Sequence, residues 1–134
     1  MKTAKMFFVL SLFLLSSIVV KAVEPAGVKE LKKFNQIEKN LIIGLTSENE
    51  GLKLSSAYYL GEYQAENAIL PLMAILKSNQ KDCQRVAAAL SLIKINNPRG
   101  VFAVKRAAIF DDSEYVRRMC TKFYAQYVKD YSTN

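Results

Sequence analysis

Apolar residues along this chain recur at the spacing of amphipathic α-helices. Between residues 68 and 78 they stand at i, i+3, i+4 and i+7, which places them on one face of a helix. No stretch shows a strand signal, so the pattern predicts an all-α fold. Glu38 falls within the apolar arc of the first helix, and the sequence shows no partner for it. The predicted helices cover 29–45, 49–63, 68–78, 81–95, 98–110 and 114–131.

Polar and helix-breaking residues between these segments predict where the helices begin and end. Asn97 is expected to cap the fifth helix, with Pro98 at its first position, where a missing amide hydrogen costs little. Ser47 and Asn67 are expected to cap the second and third helices in the same way. Gly61 weakens the last turn of the second helix, which indicates that this helix ends soon afterwards.

A basic residue recurs every 32 residues, at Lys53, Arg85 and Arg117. Two small residues follow three positions later, and a large residue follows seven positions later. A fixed period of this length in a helical chain is the signature of a helical solenoid. We expect the basic residues to form a structural ladder that bonds to loop carboxylates such as Glu48 and Asp112. The small pairs are Ser56-Ala57, Ala88-Ala89 and Cys120-Thr121, and the large residues are Leu60, Leu92 and Tyr124.

The repeated segments resemble HEAT-type repeats. The resemblance covers residues 47–127 and is carried by "LKLSSAYYLGEYQAENAILPLMAIL" and "RVAAALSLIKINNPRGVFAVKRAAI". It implies a right-handed α-α superhelix, a short solenoid of helical hairpins over residues 29–134. In that family the second helix of each hairpin lines the concave side, which would place 28–45, 68–78 and 99–110 there.

The three segments assigned to the concave side carry eight basic residues and only two acidic ones. Such an excess would steer an acidic protein or peptide toward this face, and interleaved apolar residues would anchor it. A solvated lysine face without a partner is the alternative reading. The predicted binding residues are Lys32, Lys39, Ile43, Leu70, Lys77, Phe102, Lys105 and Arg106.

The composition argues against catalysis and against nucleic-acid binding. The chain has no histidine, the commonest general acid–base and metal ligand, and no glycine-rich phosphate loop, so no cofactor or metal is expected. Its net charge of +7 includes three lysines of the N-terminal 22 residues, and it lacks tryptophan for base stacking. A binding module is therefore expected. An enzyme or enzyme subunit on the same scaffold is the alternative.

Residues 1–22 have the order of a cleavable signal peptide. Lys2 and Lys5 precede an apolar run over 6–20, and Val20 and Ala22 stand at the −3 and −1 positions of a cleavage site. The protein is then periplasmic or secreted, begins at Val23, and continues through a linker over 23–28. The alternative is an anchor formed by residues 6–20, which would be the protein's only membrane contact. A membrane span needs about 20 apolar residues, so this run is short.

The two cysteines and three tyrosines of the last helix carry further expectations. Cys83 and Cys120 are staggered by five positions relative to the repeat, which is about 7.5 Å along neighbouring helices and too far for a disulfide. Cys120 takes a small-residue position and is expected to be buried. Tyr124, Tyr127 and Tyr131 recur at i, i+3 and i+7 and are expected to close the end of the stack, with a sticky end for a partner as the alternative.

Overall fold

The structure, a computed structural model, describes residues 26–131. Within that range the chain forms six α-helices and one 3-10 turn, and no strand, so the all-α prediction is confirmed. Two units divide the chain, residues 1–31 and 32–134, and of the first only the start of one helix is described. The helices are α1 Ala26–Gly44, α2 Glu50–Glu62, α3 Ile69–Lys77, α4 Asp82–Ile95, α5 Pro98–Phe110 and α6 Glu114–Tyr131, with the 3-10 turn Glu66–Ala68 before α3.

The predicted signal peptide and cleavage site lie outside the described residues. The predicted linker, 23–28, overlaps α1, because this helix already begins at Ala26. None of the helices within 26–131 is both long and apolar enough to cross a membrane.

Helix ends follow the predicted boundaries most closely where a local cap is present. The Asn97 side chain accepts a hydrogen bond from the Arg99 amide at 3.0 Å, and Pro98 is the first residue of α5, as predicted. The predicted cap of α2 was wrong. Asn49, not Ser47, accepts the capping bond, from the Leu52 amide at 3.0 Å. Asn49 lies directly before the helix, so its side chain reaches the first-turn amides.

Asn67 does not cap α3, contrary to prediction. It lies inside the 3-10 turn, and no side chain caps the N-terminus of α3. The Asn67 amide instead donates to the Glu38 carboxylate at 3.3 Å, which supplies the partner that the sequence did not show. A contact with a distant helix has thus displaced a local one.

Within residues 32–131, α4 packs between α2 and α6, while α3 packs against α4 and α5, and α5 packs against α6. The core between these helices contains the large residues of the repeat, Leu60 and Leu92, which are fully buried. The small residues Ala57, Ala88 and Ala89 are also buried, and they allow neighbouring helices to approach closely.

Gly61 is a point of close contact between α2 and α4. A Cβ atom there would lie 2.9 Å from the Cα atom of Ser91, a distance that packed atoms do not adopt. The Ser91 hydroxyl lies 2.6 Å from the Ala57 carbonyl of the neighbouring helix. The helix ends at Glu62, one residue after Gly61, as predicted, and Gly61 also permits helix packing, a role that the sequence did not indicate.

The recurring basic residues are structural, as expected, although their partners differ from the predicted ones. Lys53 donates to the Gln80 side chain at 3.3 Å, and Arg117 donates to the backbone carbonyls of Asp111 and Asp112. Arg85 bonds to the carboxylates of Asp82 and Asp111. The carboxylates that bond to the ladder are therefore these two, and not the predicted Glu48 and Asp112.

The two cysteines are free thiols, with Cys83 exposed and Cys120 fully buried, as predicted. Burial raises the pKa of the Cys120 thiol to about 11, with a smaller contribution from the charge of Asp111. The tyrosines of α6 form a row in which Tyr124 stacks on Tyr127 and Tyr127 contacts Tyr131, with ring centroids 6.3 and 4.7 Å apart.

Candidate functional site

All eight predicted binding residues are exposed to solvent. The three apolar ones are unusually open, with 68% of Ile43, 62% of Leu70 and 65% of Phe102 accessible. Large apolar side chains at such positions are available to a partner. Exposure alone does not place the eight residues in one site, so their surroundings have to be compared.

Two of the predicted residues, Lys77 and Arg106, line the same cleft. This α3–α5 cleft has a volume of about 330 Å³ and lies between the C-terminal part of α3, the C-terminal half of α5 and the loops that follow them. Leu76 and the exposed Phe110 supply apolar surface, and Asp111 lies in its wall. The cleft therefore combines a patch of apolar surface with polar side chains, of which Lys77 and Arg106 are exposed cations.

Local structure explains how the cleft forms. The Ser78 hydroxyl donates to the Ile75 carbonyl at 2.7 Å, which ends α3 directly after Lys77. On α5, Arg106 and Phe110 are four residues apart and therefore lie on the same helical face. Ala103 belongs to that face as well, and its small side chain leaves room in the cleft.

The negative charge of Asp111 in the cleft wall is compensated by Arg85, which lies in the same wall. Arg85 Nη1 lies 2.8 and 2.9 Å from the two carboxylate oxygens of Asp111, and Arg85 Nη2 lies 2.8 Å from Asp82. A hydrogen bond from the Ser113 hydroxyl, and then one from Arg85, hold the pKa of Asp82 below its usual range. Because Asp111 is already paired, Lys77 and Arg106 keep their positive charge available, opposed at the edge by Asp112.

The other predicted residues lie elsewhere. Lys39 lines a different cleft, next to Glu38 and Asn67. The Lys105 ammonium lies 5.5 Å from the centre of the Tyr124 ring of α6, so it faces α6 and does not line the α3–α5 cleft. Lys32, Ile43, Leu70 and Phe102 line neither of these two clefts, and their side chains are exposed elsewhere on the surface.

Sequence reasoning missed Leu76 and Phe110 as cleft residues. Leu76 belongs to the apolar face of the predicted helix over 68–78 and is buried, but it also forms part of the cleft wall. The i, i+4, i+8 spacing of Phe102, Arg106 and Phe110 is the sequence signal that could have identified Phe110.

The side chains of the cleft suit binding. Residues 26–131 contain no group of three or more histidine, cysteine or acidic side chains that would hold a metal ion. A cleft with an apolar patch beside exposed cations can hold an apolar group whose neighbours are negatively charged. No family model matches this chain, and no curated protein matches it either.

Proposed function

We propose that this protein binds an acidic segment of another protein in the α3–α5 cleft. The observation that carries the proposal is the position of Lys77 and Arg106 at a cleft whose apolar surface includes the 73%-exposed Phe110. Exposed aromatic surface next to cations is the composition of the energetic centre of many interfaces. The role proposed is binding rather than catalysis, in keeping with a chain that has no histidine.

The scaffold proposed for this role is a HEAT-like solenoid with a right-handed superhelical path. Bonds between equivalent helices support it, because they join residues about one repeat apart. Lys81 pairs with Glu50 across 31 residues, and Lys94 pairs with Glu62 across 32. The Ser113 hydroxyl donates to Asp82 across 31 residues. Helices α2, α4 and α6 are thus joined at a constant step, as repeats in a solenoid are.

The chemistry of the cleft defines the proposed partner. A volume of about 330 Å³ accommodates one large apolar side chain with the backbone on either side of it. The cations of the rim then meet carboxylates that flank this side chain in the partner sequence. The partner is therefore an acidic peptide segment with a central apolar residue. Nucleic acid is not proposed, and membrane contact is proposed only through residues 6–20 if they are retained.

Three synthetic peptides test this proposal. The first has a central leucine flanked by glutamates, the second replaces the leucine with glycine, and the third replaces the glutamates with glutamines. We expect binding of the first peptide, detected by fluorescence anisotropy, to be weakened by each replacement because each removes one of the two required features. Equal affinity for all three peptides would contradict the proposal.

Export is the second part of the proposed function. It rests on the charged start, the apolar run over 6–20 and the small residues before position 23. N-terminal sequencing of the protein from fractionated cells would find Val23 as the first residue, in the exported fraction. An intact Met1 in the cytoplasmic fraction would refute export, without affecting the cleft.

A further inference from the structure

A second cleft contains a buried carboxylate that has no cationic partner within residues 26–131. It lies between α1 and the 3-10 turn, has a volume of about 390 Å³, and is separate from the α3–α5 cleft. Glu38 in its wall is only 6% exposed, which is unusual for a glutamate. The cleft is lined by Asn35, Glu38, Lys39 and Ile42 from α1 and by Asn67 from the turn.

Glu38 is poorly compensated by the residues around it. Its Oε2 atom accepts one hydrogen bond, from the neutral amide of Asn67 at 3.3 Å. The adjacent Lys39 is exposed, and no ion pair joins the two side chains among the described residues. A buried carboxylate normally has a cation or several donors, because removing its charge from water is costly. The Oε1 atom of Glu38 accepts no hydrogen bond from any of the residues 26–131.

The position of Asn67 also favours a ligand at this place. Asn67 precedes α3 closely enough to have been the expected cap, yet α3 has no side-chain cap, and the amide points toward Glu38. With its nitrogen committed to Glu38, the amide oxygen of Asn67 is left as an acceptor. Asn35, one helical turn before Glu38 on α1, adds a second amide at the cleft.

We propose that this cleft binds a primary ammonium group carried on an alkyl chain. An ammonium group has three N–H donors, and the cleft offers the carboxylate of Glu38 and the amide oxygens of Asn35 and Asn67 as acceptors. Ile42 provides apolar surface for the methylene groups next to the nitrogen. The ammonium group can belong to a small alkylamine or to a lysine side chain.

Nuclear magnetic resonance of the purified protein tests the proposal. Butylammonium chloride and the blocked amino acid Nα-acetyl-lysine methylamide are titrated separately against matched sodium chloride, and the side-chain amide signals of Asn35 and Asn67 are followed. We expect saturable shifts with at least one probe. Glu38→Gln should weaken that binding at least about tenfold, since the charged acceptor is lost. Glu66→Gln, an exposed acid on the same 3-10 turn, removes the same charge and should leave the affinity unchanged.

The relative affinities of the two probes identify the source of the ammonium group. Tighter binding of the lysine derivative assigns the cleft to a lysine side chain of a protein, and tighter binding of butylammonium assigns it to small amines. Circular dichroism of both variants verifies that the helices are intact. The proposal would be overturned if neither probe gave saturable shifts, or if wild type and Glu38→Gln bound with equal affinity. In a parallel titration with calcium chloride, shifts that depend on Glu38 would also overturn it.

Discussion

Arg85 and Asp111 form a two-point contact that joins α4 to the loop after α5. The Nη1 atom of the arginine lies 2.8 and 2.9 Å from the two carboxylate oxygens, and both side chains are largely buried. Arg85 Nη2 also bonds to Asp82, while its Nε atom is buried without a partner. The contact positions the wall of the α3–α5 cleft and neutralises the only buried carboxylate there.

The repeat provides a matched pair of variants for this contact. Arg85→Met removes the charge but keeps the apolar stem, and it leaves the Asp111 carboxylate buried without its cation. We expect a loss of about 3 kcal/mol in the free energy of unfolding. Lys53→Met, at the equivalent position one repeat earlier, breaks a single 3.3 Å bond to Gln80 and should cost less than about 1 kcal/mol. Urea unfolding measures both, and equal costs would contradict the assigned role of Arg85.

Gly61→Ala should destabilise the protein although alanine is the better helix former. The new methyl group would meet the backbone of Ser91 at 2.9 Å, so α2 and α4 would have to separate. Overpacking of this kind outweighs the propensity gain and leaves a net loss of roughly 1 kcal/mol.

Gly27→Ala is the control for this variant, because within the described residues its added methyl group meets no atom within 4 Å other than its chain neighbours and its own helix backbone. It should be neutral or slightly stabilising, by less than about 1 kcal/mol. Thermal unfolding compares the two. Gly61→Ala with an unchanged or raised melting temperature would show that the close approach to Ser91 has no energetic consequence.

The buried thiol predicts a loss of stability in alkali. The pKa of Cys120 rises from 9.0 to about 11 on folding, so its contribution is complete below pH 9.0 and is lost as the pH rises toward 11. The free energy of unfolding should fall by about 2 kcal/mol more for wild type than for Cys120→Ala over that interval. Lysine and tyrosine titrations occur in both proteins and cancel. Parallel urea-unfolding curves at pH 8 and 10.5 would contradict the assignment.

Thiol labelling separates the two cysteines at neutral pH. In the native protein a thiol reagent should modify the exposed Cys83 quickly and the buried Cys120 only on unfolding. Under denaturing, non-reducing conditions the reagent should count two free thiols per monomer. A count of zero in monomer would mean that the cysteines pair.

Helix positions were predictable from sequence because their signals are local. Asn97 and Pro98 specify the start of α5 within three residues of chain, and the structure agrees. Asn67 was predicted incorrectly for the opposite reason: its partner, Glu38, lies 29 residues away, and no periodic pattern reports such a contact. The packing role of Gly61 was not predicted for the same reason, since it depends on Ser91 in the next repeat.

The candidate site was predictable only in part. Charge and helical spacing identified Lys77 and Arg106, because both are exposed cations on helices expected to share one side. They also grouped Lys105 with Arg106, although consecutive helical residues point in directions about 100° apart. The structure directs Lys105 toward Tyr124 instead. How α3 and α5 pack decides which exposed residues meet, and that information is tertiary.

Charge reversal at the α3–α5 cleft tests the proposed binding function most directly. The variant is Lys77→Glu with Arg106→Glu, and its control is Lys33→Glu with Lys122→Glu, two exposed lysines away from the cleft. Both double variants change the net charge equally. The measurement is the affinity for the glutamate-flanked leucine peptide as a function of salt concentration. We predict that the cleft variant loses at least about tenfold in affinity, along with most of the salt dependence, while the control retains both. Equal affinity and equal salt dependence of the two correctly folded variants would contradict the account.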